Sequence, residues 1–160
     1  MLQCIFFEDF YKEGVGNYKT AIERTQFVKS KYGEDSTIKV IDPNINDAFS
    51  FVLKSKVTIL RKHSGFFRKP PNCLIHFEDF STEDEWSAVV AIEPTTFNLY
   101  RHKSGATKAH QTIDVNYRYL PDWDYYTNIL LRPNQGVMFR PWLFHSLESG
   151  IVHYFRMNES

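Results

Sequence analysis

The chain lacks several features that would assign it to a familiar class of protein. It has only two cysteines, Cys4 and Cys73, and no CxxC pair, so a disulfide framework is excluded. No uncharged apolar run approaches the ~20 residues needed to cross a bilayer, and the first residues carry no basic signal-peptide region. We therefore expect reduced thiols, a cytoplasmic location and no membrane partner.

Motifs of common catalytic and nucleotide-binding loops are also missing, namely GxGxxG, GxxxxGK[ST], HExxH, GxSxG and the EF-hand loop. The 19 basic residues balance 19 acidic ones, which argues against a dedicated nucleic-acid-binding protein. One stretch departs from this balance, because six basic residues lie within 54–69 and no acid occurs between Asp47 and Glu78. A solvated surface is the ordinary interpretation, and an anion- or nucleic-acid-facing patch is the alternative.

Aromatic residues are abundant, at 16% of the 160 residues, and they favour strands. The length suits a single domain over 1–160. Apolar spacing predicts helices over 16–31 and 45–60, after a strand at 2–7 and with a weaker strand at 37–41 between them. Short apolar runs separated by turns then predict strands at 72–78, 86–92, 96–102, 126–131, 136–147 and 150–157, with a long irregular segment at 103–124. Helices followed by strands indicate an α+β fold with a jelly-roll or barrel-like sandwich.

Histidine is the residue type that carries the chemical signal. Two of the six histidines, His76 and His145, lie inside strongly apolar runs. In a strand, residues two apart project from the same face, so His76 shares a face with Glu78. A further histidine from a neighbouring strand would complete the facial triad of a non-haem Fe(II) site. One such His-x-Glu pair is about what chance alone would produce in this sequence. A histidine packed in the core is the commoner explanation for a histidine in an apolar run.

In its segments LIHFEDFSTEDEWSAVVAI and GVMFRPWLFHSLESG, the chain resembles the 2-oxoglutarate- and Fe(II)-dependent oxygenases. The resemblance is to small prolyl-hydroxylase-like members from bacteria and bacteriophages, and IFFEDFYKEG and TFNLYRHKSG extend it. It implies a double-stranded β-helix (jelly-roll or cupin-like) with two N-terminal helices packed on one sheet. A phage origin would make the location the host cytoplasm.

The resemblance also implies a cofactor site. It assigns three iron ligands, His76, Glu78 and His145, although the acid is usually aspartate in this family. It assigns Arg156 to the far carboxylate of 2-oxoglutarate, a role that suits the planar guanidinium fork. Tyr100, Asn128 and Ser146 are further polar residues on or beside the strands that would line the pocket. Arg140, Arg132 or Lys103 would take the cosubstrate role if the register differs.

The function implied is that of an oxygenase, specifically a hydroxylase, and the sequence leaves its substrate open: a protein side chain, a nucleobase or a small molecule. One alternative is a degenerate β-helix binding module in which the triad is too far apart to share an ion. Another is a nucleic-acid or phage-assembly interaction protein that uses the basic segment 54–69. The aromatic segment 103–124 either contacts substrate or packs over the barrel.

Overall fold

The computed structural model describes residues 3–23, 28–29, 35–36, 44–60, 63–68, 75–78, 80–109 and 115–160. These residues contain the helices α1 (Gly16–Glu23) and α2 (Ile45–Leu53). Their strands are β1 (Cys4–Phe7), β2 (Val28–Lys29), β3 (Asp35–Ser36), β4 (Val57–Ile59), β5 (Gly65–Arg68), β6 (Glu85–Ala91), β7 (Thr95–His102), β8 (Trp123–Leu131), β9 (Gly136–Phe139), β10 (His145–Glu148) and β11 (Ile151–Glu159). Neither helix of the described residues is long and apolar enough to span a membrane.

The strands form two antiparallel sheets. The large sheet has the order β1-β9-β6-β11-β5-β3-β2, with β4 also paired to β11, and the small sheet has the order β10-β7-β8. Strand β11 is the centre of the large sheet, since it pairs with β6 along one edge and with β4 and β5 along the other. Neighbours in the sheets are therefore far apart in sequence, as in a sandwich rather than a simple meander.

Alternation along β11 sorts its side chains between two layers. Phe155 faces the helices, where its ring lies 5.0 Å from that of Phe49 of α2. Val152 faces the small sheet and belongs to a core with Phe97 and Leu147. Because both faces of the large sheet are covered, β6 is buried at every position. Complete burial of one such aromatic ring contributes about 1.5–3 kcal/mol.

The helix predictions were correct at their beginnings and wrong at their ends. Helix α1 ends at Glu23, and Val28–Lys29, placed in a helix by the prediction, instead pairs with β3. Helix α2 ends at Leu53, because Lys54 adopts a left-handed conformation with a φ of 58°. The following Val57–Ile59 then joins the large sheet rather than continuing the helix. The strand predicted at 37–41 lies outside the described residues.

The predicted strands of the second half largely correspond to observed ones, so the α+β prediction is confirmed as antiparallel sheets with two helices. The exceptions are the run at 136–147, which divides into β9 and β10 around a turn, and 72–78. Of that last run only 75–78 is described, and it forms a single bridge at His76. That one domain spans 1–160 stays a prediction.

In the segment 103–124 the structure describes 103–109 and 115–124, and apolar residues of both parts pack on the outer face of the small sheet. Within its described residues, Ala106 and Tyr117 join an apolar cluster with Tyr100 and Phe144. A short 3-10 helix at Leu120–Asp122 then leads into β8. These contacts favour a packing role for the described residues, although on the outer face of the small sheet rather than over the barrel as expected.

Candidate metal centre

Backbone hydrogen bonds bring the three predicted ligands to one place. His76 and His145 lie directly opposite each other, since each N–H donates to the other's carbonyl at 3.0 and 2.9 Å. Two side chains opposed in this way project from the same face. Two residues later, the N–H of Glu78 donates to the carbonyl of Pro141 at 2.7 Å, which fixes the acid beside the pair.

The side chains of these residues converge through their donor atoms. Glu78 Oε1 lies 3.2 Å from His76 Nε2 and 3.5 Å from His145 Nε2. One ligand atom from each residue lies within 4.8 Å of the others. The face of the small sheet that is turned towards the large sheet therefore carries two imidazoles and a carboxylate directed at a common point. The space between these two sheets is called the interlayer space below.

The environment of His145 fixes the orientation of its ring. The side chain is 2% exposed, and its ring packs against Phe139 at a centroid distance of 4.6 Å and against Phe97. Its Nδ1–H donates to the Leu143 carbonyl at 2.7 Å. A neutral ring that donates through Nδ1 has its lone pair on Nε2, the atom that faces Glu78, and such an arrangement commonly orients metal-bound histidines.

Charge in the cluster follows from burial and from the short contacts. Burial alone would raise the pKa of the Glu78 carboxyl, but hydrogen bonds and charge interactions with His145 and His76 hold the pKa well below its usual range. Burial lowers the pKa of His145, and the neighbouring His76 lowers it further, against the opposing influence of Glu78. These shifts favour the ionised form of the Glu78 carboxyl and the neutral form of His145.

These donors fit a divalent transition metal. Metal–ligand bonds of ~2.1 Å at right angles place neighbouring ligand atoms about 3 Å apart, close to the 3.2 and 3.5 Å found here. Two imidazoles and one carboxylate on one side of an ion make up the set used by non-haem Fe(II) centres.

A second polar group lines the same space between the sheets, on the large sheet. Arg156 and Tyr154 are two residues apart on β11, so their side chains project from the same face of the sheet. Arg156 is paired with Ser87 of β6. The guanidinium Nη2 donates to Glu85 Oε2 at 2.5 Å, and the hydroxyls of Ser87 and Tyr154 are 3.2 Å apart. Burial alone would lower the pKa of Arg156, but Tyr154 and Glu85 outweigh it and raise the pKa.

The two groups are electrostatically coupled. Burial raises the pKa of the Tyr154 phenol, and the negative charge of Glu78 raises it further. Tyr154 is therefore the residue that connects the neighbourhood of the triad with that of Arg156. Sequence reasoning missed Tyr154, Ser87 and Glu85, although the position of Tyr154 two residues before Arg156 on a strand could have indicated it.

Three of the residues predicted to line the pocket lie on the other face of the small sheet. Ser146 follows His145 on β10 and so projects from the opposite face of the small sheet. The hydroxyl of Tyr100 is 2.7 Å from Ser146 Oγ, and Asn98 donates to the same oxygen. Asn128 donates to Asn98 Oδ1 at 2.6 Å. Tyr100, Asn128 and Ser146 thus form a network on the outer face, away from the triad.

The three substitute cations considered from sequence are committed to other contacts or exposed. Arg140 lies over the ring of Trp86, 3.7 Å from its centroid, and donates to the Glu85 carbonyl. Lys103 pairs with Asp122 at 2.9 Å, and Arg132 is exposed. Of the arginines and lysines considered, Arg156 is the one that shares the interlayer space with the triad.

The fold is similar to those of several solved enzymes whose descriptions name 2-oxoglutarate (α-ketoglutarate). HygX from Streptomyces hygroscopicus, solved with nickel, 2-oxoglutarate and hygromycin B, superposes with a TM-score of 0.63 at 9% identity over 98% of this chain and 82% of that one. The α-ketoglutarate-dependent epimerase SnoN of nogalamycin biosynthesis gives 0.61 at 12% identity, covering 98% and 78%. The carbocyclase SnoK of the same biosynthesis gives 0.59 at 10%, covering 99% and 80%.

These similarities concern the fold, because the identities are low. No family model matches the chain, and no curated protein matches it in sequence. None of the three structures is described as a bacteriophage protein, so a phage origin stays a prediction of the sequence resemblance.

Proposed function

We propose that the protein is a non-haem Fe(II)- and 2-oxoglutarate-dependent oxygenase, and specifically a hydroxylase. The observation that carries the proposal is the convergence of His76, Glu78 and His145 within 4.8 Å, in a fold shared with enzymes that use this cofactor pair. The two antiparallel sheets that enclose the triad support the double-stranded β-helix implied by the sequence resemblance.

Each polar residue of the interlayer space has a role in this proposal. His76, Glu78 and His145 would hold the metal, and the hydrogen bond to Leu143 would keep His145 in the coordinating tautomer. Arg156 would bind the far carboxylate of 2-oxoglutarate. A bound iron ion would supply the activation of dioxygen for oxidising an unreactive C–H bond, which amino-acid side chains cannot provide.

Differences in exposure indicate the side from which a substrate would approach. His145 is sealed behind Phe139 and Phe97, with its side chain 2% exposed. The side chains of His76 and Glu78 are 32% and 28% exposed. We therefore infer that the open side of the centre lies at His76 and Glu78, and that the aromatic wall behind His145 keeps water from the inner side.

An anaerobic titration tests the proposal. Apo protein would be titrated with Fe(II) and then with 2-oxoglutarate, while the weak visible charge-transfer band of a chelated keto acid is followed. We expect the band in the wild-type protein and its loss in His76→Ala. His102→Ala serves as the control, because His102 lies on β7 outside the triad and contacts Ser104 and Trp123.

Absence of metal binding in the wild-type protein would overturn the proposal and favour the degenerate binding module. The short distances within the triad argue against that module, whose ligands would be too far apart to share an ion. The nucleic-acid alternative through 54–69 stays a separate prediction, and strongly salt-dependent binding of DNA or RNA would support it.

A further inference from the structure

Arg156 already has an internal carboxylate partner. Its Nη2 donates to Glu85 Oε2 at 2.5 Å, and both side chains are largely buried, at 9% and 7% exposed. The other carboxylate oxygen, Oε1, accepts the backbone N–H of Ser81 at 3.1 Å. Glu85 is therefore held from two sides, by the turn that precedes β6 and by the guanidinium.

This pairing matters for an anionic ligand because, among the described cations compared above, the same guanidinium is the one that lies in the interlayer space. A carboxylate bound to Arg156 would approach the negative charge of Glu85 as well as the positive charge of the arginine. Like charges at close range in a buried site oppose each other strongly. The carboxylate of Glu85 and that of a ligand thus compete for one cation.

We propose that Glu85 is an internal competitor that sets how tightly the protein binds a dicarboxylate cosubstrate. This inference rests on the proposed function, since it takes Arg156 as the residue that binds the far carboxylate of 2-oxoglutarate. In the absence of that ligand, Glu85 neutralises Arg156 and keeps its fork in place. Upon binding, the ligand carboxylate displaces or shares Nη2, and the affinity is lowered accordingly.

The test is a binding measurement under non-turnover conditions. Mn(II)-loaded protein would be titrated without oxygen by calorimetry, first with 2-oxoglutarate and then with 2-oxopentanoate. The second probe has the same keto-acid end and chain length but lacks the far carboxylate. We expect Glu85→Gln to bind 2-oxoglutarate at least tenfold more tightly, roughly the effect of relieving one close like-charge contact, and to bind 2-oxopentanoate with unchanged affinity.

Glu159→Gln is the matched control. Glu159 is another carboxylate of the large sheet next to an arginine, 3.8 Å from Arg140 Nη2, and the substitution changes the net charge equally. It should leave the affinity for both keto acids as in the wild type. An equal gain for both variants would mean that overall charge is responsible, and it would overturn the proposal.

A second variant decides the question if Glu85→Gln fails to fold with an unpaired arginine inside. Glu85→Asp keeps the charge, but its shorter side chain cannot hold both Ser81 and Arg156, so the competition weakens and we expect about threefold tighter binding of 2-oxoglutarate. Unchanged or weaker binding would overturn the inference and assign Glu85 to positioning. Wild-type protein that binds no 2-oxoglutarate would instead overturn the proposed function.

Discussion

Replacement of His145 by glutamine tests the metal centre through stability as well as through spectroscopy. His145 provides one of three donor atoms, and its Nε2 lies 3.5 Å from Glu78 Oε1. Glutamine approximates the length of histidine and keeps a polar end, but its amide is a much poorer ligand for a transition metal than imidazole. The variant therefore removes a metal ligand, while the glutamine side chain still fills most of the space that the imidazole occupies beside Phe139.

The size of the effect follows from linkage between binding and unfolding. A metal ion present at 100 times its Kd stabilises the folded state by about 2.7 kcal/mol. For a protein of this size, each kcal/mol raises Tm by about 2–4 °C, so the wild-type protein should gain about 5–11 °C. If the substitution raises Kd a hundredfold, the same concentration contributes about 0.4 kcal/mol and a shift of about 1–2 °C.

The assay is thermal unfolding of apo protein with and without Mn(II), under identical buffer conditions for each variant. His102→Gln is the control, because His102 is also a buried histidine, packed 4.9 Å from the ring of Trp123, but it lies outside the triad. It should keep the full shift, whatever its own Tm. A His145→Gln protein that retains the wild-type shift would refute the ligand assignment.

Three further predictions concern single residues. Arg156→Gln should weaken 2-oxoglutarate binding at least tenfold in calorimetry and leave Mn(II) affinity unchanged, because one charge-assisted contact is lost; equal affinity would transfer the role to another residue. Burial raises the pKa of the Cys4 thiol to about 11. In a Cys73→Ser variant, Cys4 should therefore react with iodoacetamide at pH 8 about a hundredfold more slowly than a free thiol does. Rapid labelling would contradict this expectation. Gly150 has a φ of +85°, and an added Cβ would lie 2.5 Å from a backbone carbonyl oxygen. Gly150→Ala should therefore lower the free energy of unfolding, measured by urea denaturation, by about 2 kcal/mol or more. Gly16→Ala is the control and should not lower it, because the space around Gly16 is open.

The sheet-forming second half could be predicted from sequence because its signals are local. Strand β6 is a continuous apolar run, and such runs indicate strands that are covered on both faces. The ends of the helices could not be predicted in the same way. Helix α2 is terminated by Lys54 in a left-handed conformation, without the glycine that usually marks such a stop. The apolar spacing after it fits a helix as well as the strand observed at Val57–Ile59.

In the candidate site, local sequence patterns predict some of the neighbouring residues but not those whose placement depends on the pairing of distant strands. Period two predicts His76 and Glu78 on one face, and their side chains do lie 3.2 Å apart, although the chain leaves the strand pairing after His76. Whether Tyr100 and Asn128 face the centre depends on the register between β7, β8 and β10, which no local pattern specifies. Both residues lie on the same face as Ser146, which is opposite to the face of His145. This placement follows from a pairing between residues some 50 positions apart in the chain.

The glutamate at position 78 is best understood from the path of the backbone around it. His76 forms a paired bridge with His145, but Glu78 has left that register, and its N–H donates to the Pro141 carbonyl instead. From there the longer side chain brings Oε1 to within 3.2 and 3.5 Å of the two imidazole nitrogens. An aspartate on the same backbone would withdraw that oxygen by about one bond length, ~1.5 Å. The extra methylene therefore compensates for the departure of the chain from the bridge, and a carboxylate one carbon longer than the family's usual acid is compatible with a closed set of three ligands.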